Sequence, residues 1–211
     1  MVVYANPSLG ESQWQLEFEL SLWENTVVVL KTTVYKTMLP ERHERRANFD
    51  EIIANAKELV FESGHHVPVV IMEGSKNLIV SSIQELPPTY CERMQLMRFM
   101  GQAAAKSGQV GSLEQVFMIS EGWMSMARQD SPPKMRPAED PNRKEVLIIS
   151  GFDIQQKMKK LKLFEMVRDQ HQHVIAMPEI LPPQSRDGKV EIPLLDAFAE
   201  GFLLAFRARV N

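Results

Sequence analysis

The 211-residue sequence predicts an α+β fold: a largely antiparallel, mixed sheet packed by about three helices, with an N-terminal β-hairpin. Two observations carry this. β-like runs follow one another directly instead of alternating with helices, as a strict parallel βαβ chain would require. Three segments with helical apolar spacing each open on a recognisable start signal, Asn48, Thr89 and Pro193.

Taken in order, residues 14–22 (WQLEFELSL) alternate strictly, with Trp14, Leu16, Phe18, Leu20 and Leu22 on one side. A period of two marks a strand with one buried face. The turn residues WENT and the β-rich VVVLKTTVYK (27–36) complete a hairpin. The charged stretch TMLPERHERRA, broken by Pro40, reads as a linker, so the hairpin (1–38) is an extension of a single α+β domain (47–211).

Asn48 suits a helix N-cap, Ile52, Ile53, Ala56, Leu59 and Val60 recur at helical spacing, and Gly64 stands where a left-handed residue ends a helix. VPVVIMEG (67–74) and NLIVSSI (77–83) read as strands joined by a short turn. Pro87 and Pro88 then precede Thr89-x-x-Glu92, a capping box, and the stripe Tyr90, Met94, Met97, Met100 or Gly101, and Ala104 runs to Gly108. Residues 115–121 and 145–152 read as strands flanking a Pro-rich excursion, QDSPPKMRPAEDPNRKE. Two more β-like runs follow at 159–169 and 173–181. Pro193 opens a last helix with Leu194, Leu195, Phe198, Phe202, Leu203 and Phe206 as its apolar face.

Composition bounds function. An apolar share of 44% and a charged share of 24% are those of a globular protein, and a net charge of −3 gives no overall pull toward nucleic acid. The basic runs ERHERR (41–46) and KMKKLK (157–162) read as solvated faces. No stretch approaches the ~18 consecutive apolar residues of a membrane span. With no signal peptide and a single cysteine, a cytoplasmic location without disulfides is expected. Nucleotide-binding, hydrolase-elbow and zincin motifs are missing, so no cofactor and no metal are expected.

The candidate sites are few. Cys91 falls at the second position of its helix, where the dipole favours negative charge. His171 and His173, followed by Ser185 and Asp187, do not match the His-x-His…Ser-x-x-Asp spacing of metal-dependent isopeptidases and read as surface or turn histidines. His65 and His66, just after Gly64, suit helix capping.

The two apolar runs VFMISEGW (116–123) and VLIISGFD (146–153) end in similar polar punctuation. If they pair antiparallel, Glu121 comes near Glu145 at the mouth of the Pro-rich loop, while Asp153 lies at the far end. The leading expectation is a non-catalytic binding or regulatory protein acting through that loop and its aromatics, with Trp123, Arg136, Arg143 and Phe152 as binding residues. The rival is a small hydrolase or transferase using Cys91, Glu121 or a carboxylate–histidine set. A homo-oligomer built through the hairpin is the expected assembly, a protein partner is open, and neither nucleic acid nor membrane is expected as a partner.

Overall fold

The computed structural model describes residues 47–125, 137–180 and 190–210, together with the backbone pairing of 13–23 and 26–35. Two strands, β1 (Gln13–Trp23) and β2 (Thr26–Tyr35), form the N-terminal hairpin. Then come α1 (Phe49–Ser63), β3 (Val69–Gly74), β4 (Leu78–Ile83), α2 (Tyr90–Ser107), β5 (Leu113–Met124) and β6 (Lys144–Asp153). The chain continues through β7 (Met158–Glu165), β8 (Val167–Arg168), β9 (Val174–Ala176) and β10 (Glu179–Ile180) to α3 (Pro193–Val210).

Eight strands make one sheet in the order β1-β2-β4-β3-β5-β6-β7-β10, antiparallel at every described pairing, so the protein is α+β. The hairpin is the edge of this sheet: Leu30–Tyr35 of β2 run against Ile83–Leu78 of β4. The two late β-like runs each divide. β8 and β9 leave to form a small ladder of their own, while β7 and β10 stay in the large sheet. Pro178 lies between β9 and β10 and has no N–H to give a ladder; its carbonyl instead accepts from Glu165.

Helices cover both faces. On one face α2 and α3 pack against Val70, Met72, Ile79, Ile83, Val116 and Met118. On the other, Phe49, Ile52, Ala56 and Val60 of α1 pack against Phe117, Ile119, Leu147, Ile149 and Phe164. β5 therefore sends alternate residues into two cores, which is why VFMI is continuously apolar and not alternating.

The helix ends follow local chemistry. Asn48 Oδ1 accepts the Asp50 N–H, and Gly64 closes α1 at φ 78°. Thr89 and Glu92 exchange both bonds of a capping box, and Gly108 closes α2 at φ 68°. The Met stripe is core: Met97 and Met100 are buried, but Tyr90 at its head is exposed. On α3, Leu195, Phe198 and Phe202 are buried, while Leu203 is partly exposed. The two helices touch backbone to backbone at two glycines. A Cβ on Gly101 would stand 2.1 Å from the Phe198 carbonyl oxygen, and one on Gly201 2.1 Å from that of Arg98. No described helix is long and apolar enough to cross a membrane.

Candidate functional site

β5 and β6 pair antiparallel from Gln115↔Asp153 to Met124↔Lys144, so the two similar strand endings lie at opposite ends of one hairpin. At one end Trp123 stands across from Glu145, and Glu121 is two residues back on the same face of β5. Glu121 and Glu145 are thus brought together at the mouth of the Pro-rich excursion, as the antiparallel reading requires.

The same end opens a cleft of about 740 Å³. Its walls include Glu121, Trp123 and Glu145 from the hairpin, His66 and Pro68 from the chain entering β3, and Thr89, Tyr90 and Arg93 from the start of α2. Pro137 and Ala138, where the Pro-rich excursion returns, close another side. This volume lies in the range of small-ligand and side-chain sites.

The two carboxylates differ in environment. Glu145 is held by Arg168 in a two-pronged ion pair, Nε to Oε2 at 2.6 Å and Nη2 to Oε1 at 2.8 Å, which also raises the Arg168 guanidinium above its usual value. Glu121 Oε1 accepts the backbone N–H of His66, and among the described residues Glu121 has no ion pair. Burial is the largest influence on it and pushes its carboxyl up, aided by the nearby Glu145 charge; the His66 N–H, Arg168 and His65 pull the other way without cancelling this. His66 is itself buried, which lowers its imidazole, and its Nδ1 lies 2.6 Å from the Val67 carbonyl.

Trp123 is 46% exposed, and the Arg143 guanidinium lies 4.4 Å from its ring centroid. Arg143 Nη1 also donates to the Ala138 carbonyl at 2.5 Å, tying the end of the excursion to the strand. Asp140 accepts from Ser125 Oγ and from the Asn142 N–H, and the Ser125 bond above all lowers its carboxyl. Tyr90 is 61% exposed.

The other expected site residues scatter. Phe152 is not an exposed neighbour of the Pro-rich loop. It is half-buried at the far end of the hairpin, packed against the α2–α3 core with Lys159 Nζ 5.4 Å from its ring centroid. The reason is register: Phe152 pairs with Val116, on the same face as the helices. Asp153 accepts the Gln156 N–H and closes the β6–β7 turn. Arg136, Ser185, Asp187 and the run 41–46 lie outside the described residues.

Cys91 is exposed at the second position of α2; Tyr90 and Arg93 on either side of it line the cleft, and Cys91 itself does not. His171 and His173 sit in the β8–β9 turn, where Asp169 Oδ1 accepts both backbone N–H groups. The His65 ring bonds to the carbonyl of Ser63, the last residue of α1, as a capping imidazole does. No cluster of three potential metal ligands occurs among the described residues. The run 157–162 is divided between partners: Lys159 pairs with Asp196, Lys162 with Glu179, and Lys160 lies over Phe49.

Glu121, Glu145, Trp123 and Arg143 are legible from the sequence at this end of the hairpin. Arg93, Tyr90 and His66 as walls of the same cleft are not, nor is Arg168 as the partner that holds Glu145 from behind, and only Tyr90 has a local signal, beside the cap at Thr89.

No curated protein and no solved structure matches the chain. One family does, over residues 24–195, a span that takes in α1, α2, the whole β5–β6 hairpin and every described cleft residue. The chain belongs to the family described as Bacteriophage lambda protein ea47.

Proposed function

We propose that this member of the phage family is a non-catalytic binding protein, and that the cleft at the Glu121–Trp123 end of the β5–β6 hairpin receives a segment of a partner protein. The observation that carries this reading is the conjunction of a wide cleft, an exposed Trp123 and an exposed Tyr90 on elements locked into the core. Exposed aromatics on a rigid frame supply binding energy with little ordering cost. The polar groups there are arranged for holding rather than for chemistry. Glu121 bonds a backbone N–H and not an imidazole, and the His66 ring is engaged by a carbonyl. Cys91, the nucleophile of the rival hydrolase reading, does not line the cleft.

Selection of binders from a random displayed peptide library tests the proposal. Selected peptides bind the full chain and lose at least about tenfold affinity on Trp123→Ala, a hot-spot-sized effect. Peptides that bind Trp123→Ala as well as they bind the unaltered chain overturn it.

A second copy of the chain is the other partner we propose, met through the hairpin. β1 is the edge of the sheet, and β2 pairs with β4 only from Leu30 onward, so Thr26–Val29 and the β1 residues opposite them run past the end of β4. A two-stranded ribbon is marginal by itself and gains from a partner. Light scattering at micromolar concentration is expected to give twice the chain mass; a monomer there refutes the dimer.

A further inference from the structure

We infer that the segment seated in the Glu121 cleft presents a lysine or arginine side chain, whose cation lies between the Glu121 carboxylate and the exposed rings of Trp123 and Tyr90. This deepens the binding reading above and rests on it.

The frame is the spacing along β5. Residues two apart on one strand face the same way roughly 6.5–7 Å apart. A carboxylate and an aromatic ring at that separation bracket a single ammonium or guanidinium group. The ring already shows which charge it accepts, because the chain's own Arg143 lies over it at 4.4 Å from the centroid.

The charges around the cleft favour a cation over an anion. Glu145 has both oxygens occupied by Arg168, so that pair is internally neutral. Glu121 has a backbone N–H and no ion pair among the described residues; Arg168 acts on it only from a distance, its guanidinium being taken up by Glu145. The obvious anion site of the cleft is the N-terminus of α2, and the chain has filled it: Glu92 Oε2 accepts the Thr89 N–H at 3.1 Å and its hydroxyl at 2.7 Å. Pro68, Pro88 and Pro137 line the walls and have no N–H to offer an anion.

Arg93 is the positive group on the opposite wall. Its Nε donates to the Pro87 carbonyl at 2.6 Å, which fixes the guanidinium. Among the described residues its other nitrogens have no partner, so they can donate to a peptide carbonyl of the bound segment. A basic side chain on a peptide backbone satisfies both walls, whereas a free amine satisfies one.

The test uses the full chain with its tryptophan indoles labelled with ¹⁵N, the Trp123 resonance being assigned by its loss in Trp123→Phe. The probes are the N-acetyl amides of arginine, lysine, norleucine and glutamate, titrated at constant ionic strength. The arginine and lysine amides are expected to move the Trp123 resonance saturably and more tightly than the other two. Glu121→Gln, whose amide oxygen still accepts the His66 N–H and so keeps the fold, is expected to weaken them at least about fivefold. Equal binding of the norleucine amide with no effect of Glu121→Gln overturns the cation inference and leaves the cleft reading standing, as does tighter binding of the glutamate amide. No movement with any probe, while library peptides still depend on Trp123, also overturns the inference alone. Loss of that dependence as well overturns the reading beneath it.

Discussion

At the Glu121 end of the β5–β6 hairpin a tryptophan stands exposed over a cleft of about 740 Å³. At the Asp153 end a phenylalanine lies against the α2–α3 core, and the acid closes a turn. Each end has a serine, a glycine, an aromatic and a carboxylate, yet one is finished by local contacts and the other is left open. The difference lies in what the chain does next. After Asp153 it turns back within four residues, and the turn consumes the carboxylate. After Trp123 it departs on a Pro-rich excursion and returns at Pro137, so Glu121 and Trp123 are met by distant pieces of chain that leave a cleft between them. Residue types at a strand end do not make a site; the length of the connection decides whether they are used up.

The aromatic pair gives the largest test of this contrast. Phe152→Ala is expected to cost about 2–3 kcal/mol in urea denaturation, a partial core deletion, whereas Trp123→Ala costs less than about 1 kcal/mol because nearly half of the residue is exposed and it belongs to neither core. Equal costs would mean that Trp123 is a packing residue and would break the comparison.

The glycines come next. A Cβ on Gly151 would stand 2.9 Å from Phe117 Cδ1 and 3.2 Å from Phe49 Cε2, rings that are themselves stacked at 6.1 Å. A Cβ on Gly122 meets only the tip of Ile148 at 3.2 Å. Gly151→Ala is therefore expected to destabilise by about 1–2 kcal/mol, and Gly122→Ala to stay within about 0.5 kcal/mol, both read from the denaturation midpoint.

The acids give the smallest effect and differ in sign. Asp153→Ala loses the turn bond and costs about 0.5–1 kcal/mol. Glu121 has its carboxyl raised in the folded protein, so the folded state holds a proton that the unfolded chain has already released. That group lowers stability as pH rises past about 4.3, the ordinary glutamate value, and through the raised folded value. Glu121→Gln is expected to gain a few tenths of a kcal/mol at neutral pH, small because the site is open to solvent, and nothing below about pH 4. A loss of stability at neutral pH would show that the Glu121 charge is satisfied in the fold, and the open end would then be no more open than the other.

Much of this was legible in the residues, for local reasons. Thr89-x-x-Glu92, Asn48, Gly64, Gly108 and Pro193 act within one helical turn, so their geometry follows from spacing. The β5–β6 hairpin was readable because its connection carries little helical pattern, and an antiparallel pair follows. The strand order was not readable: β3 lies between β4 and β5, a choice made by packing on both faces. Hence the His66 N–H, 55 residues from Glu121, and Arg168, 23 from Glu145, could not be assigned to a common site. The position of Phe152 is not legible either, because the period of two does not tell how far along each strand the α2–α3 layer reaches.

The glycine crossing of α2 and α3 has a mechanical consequence. With backbone set against backbone at Gly101 and Gly201, no side chain lies between the helices at that point to rearrange or act as a bearing. The contact is at Arg98 and Gly101 of α2, about one and a half to three helical turns beyond Arg93 and Tyr90, so a side chain added at either glycine would have to push the two helices apart there.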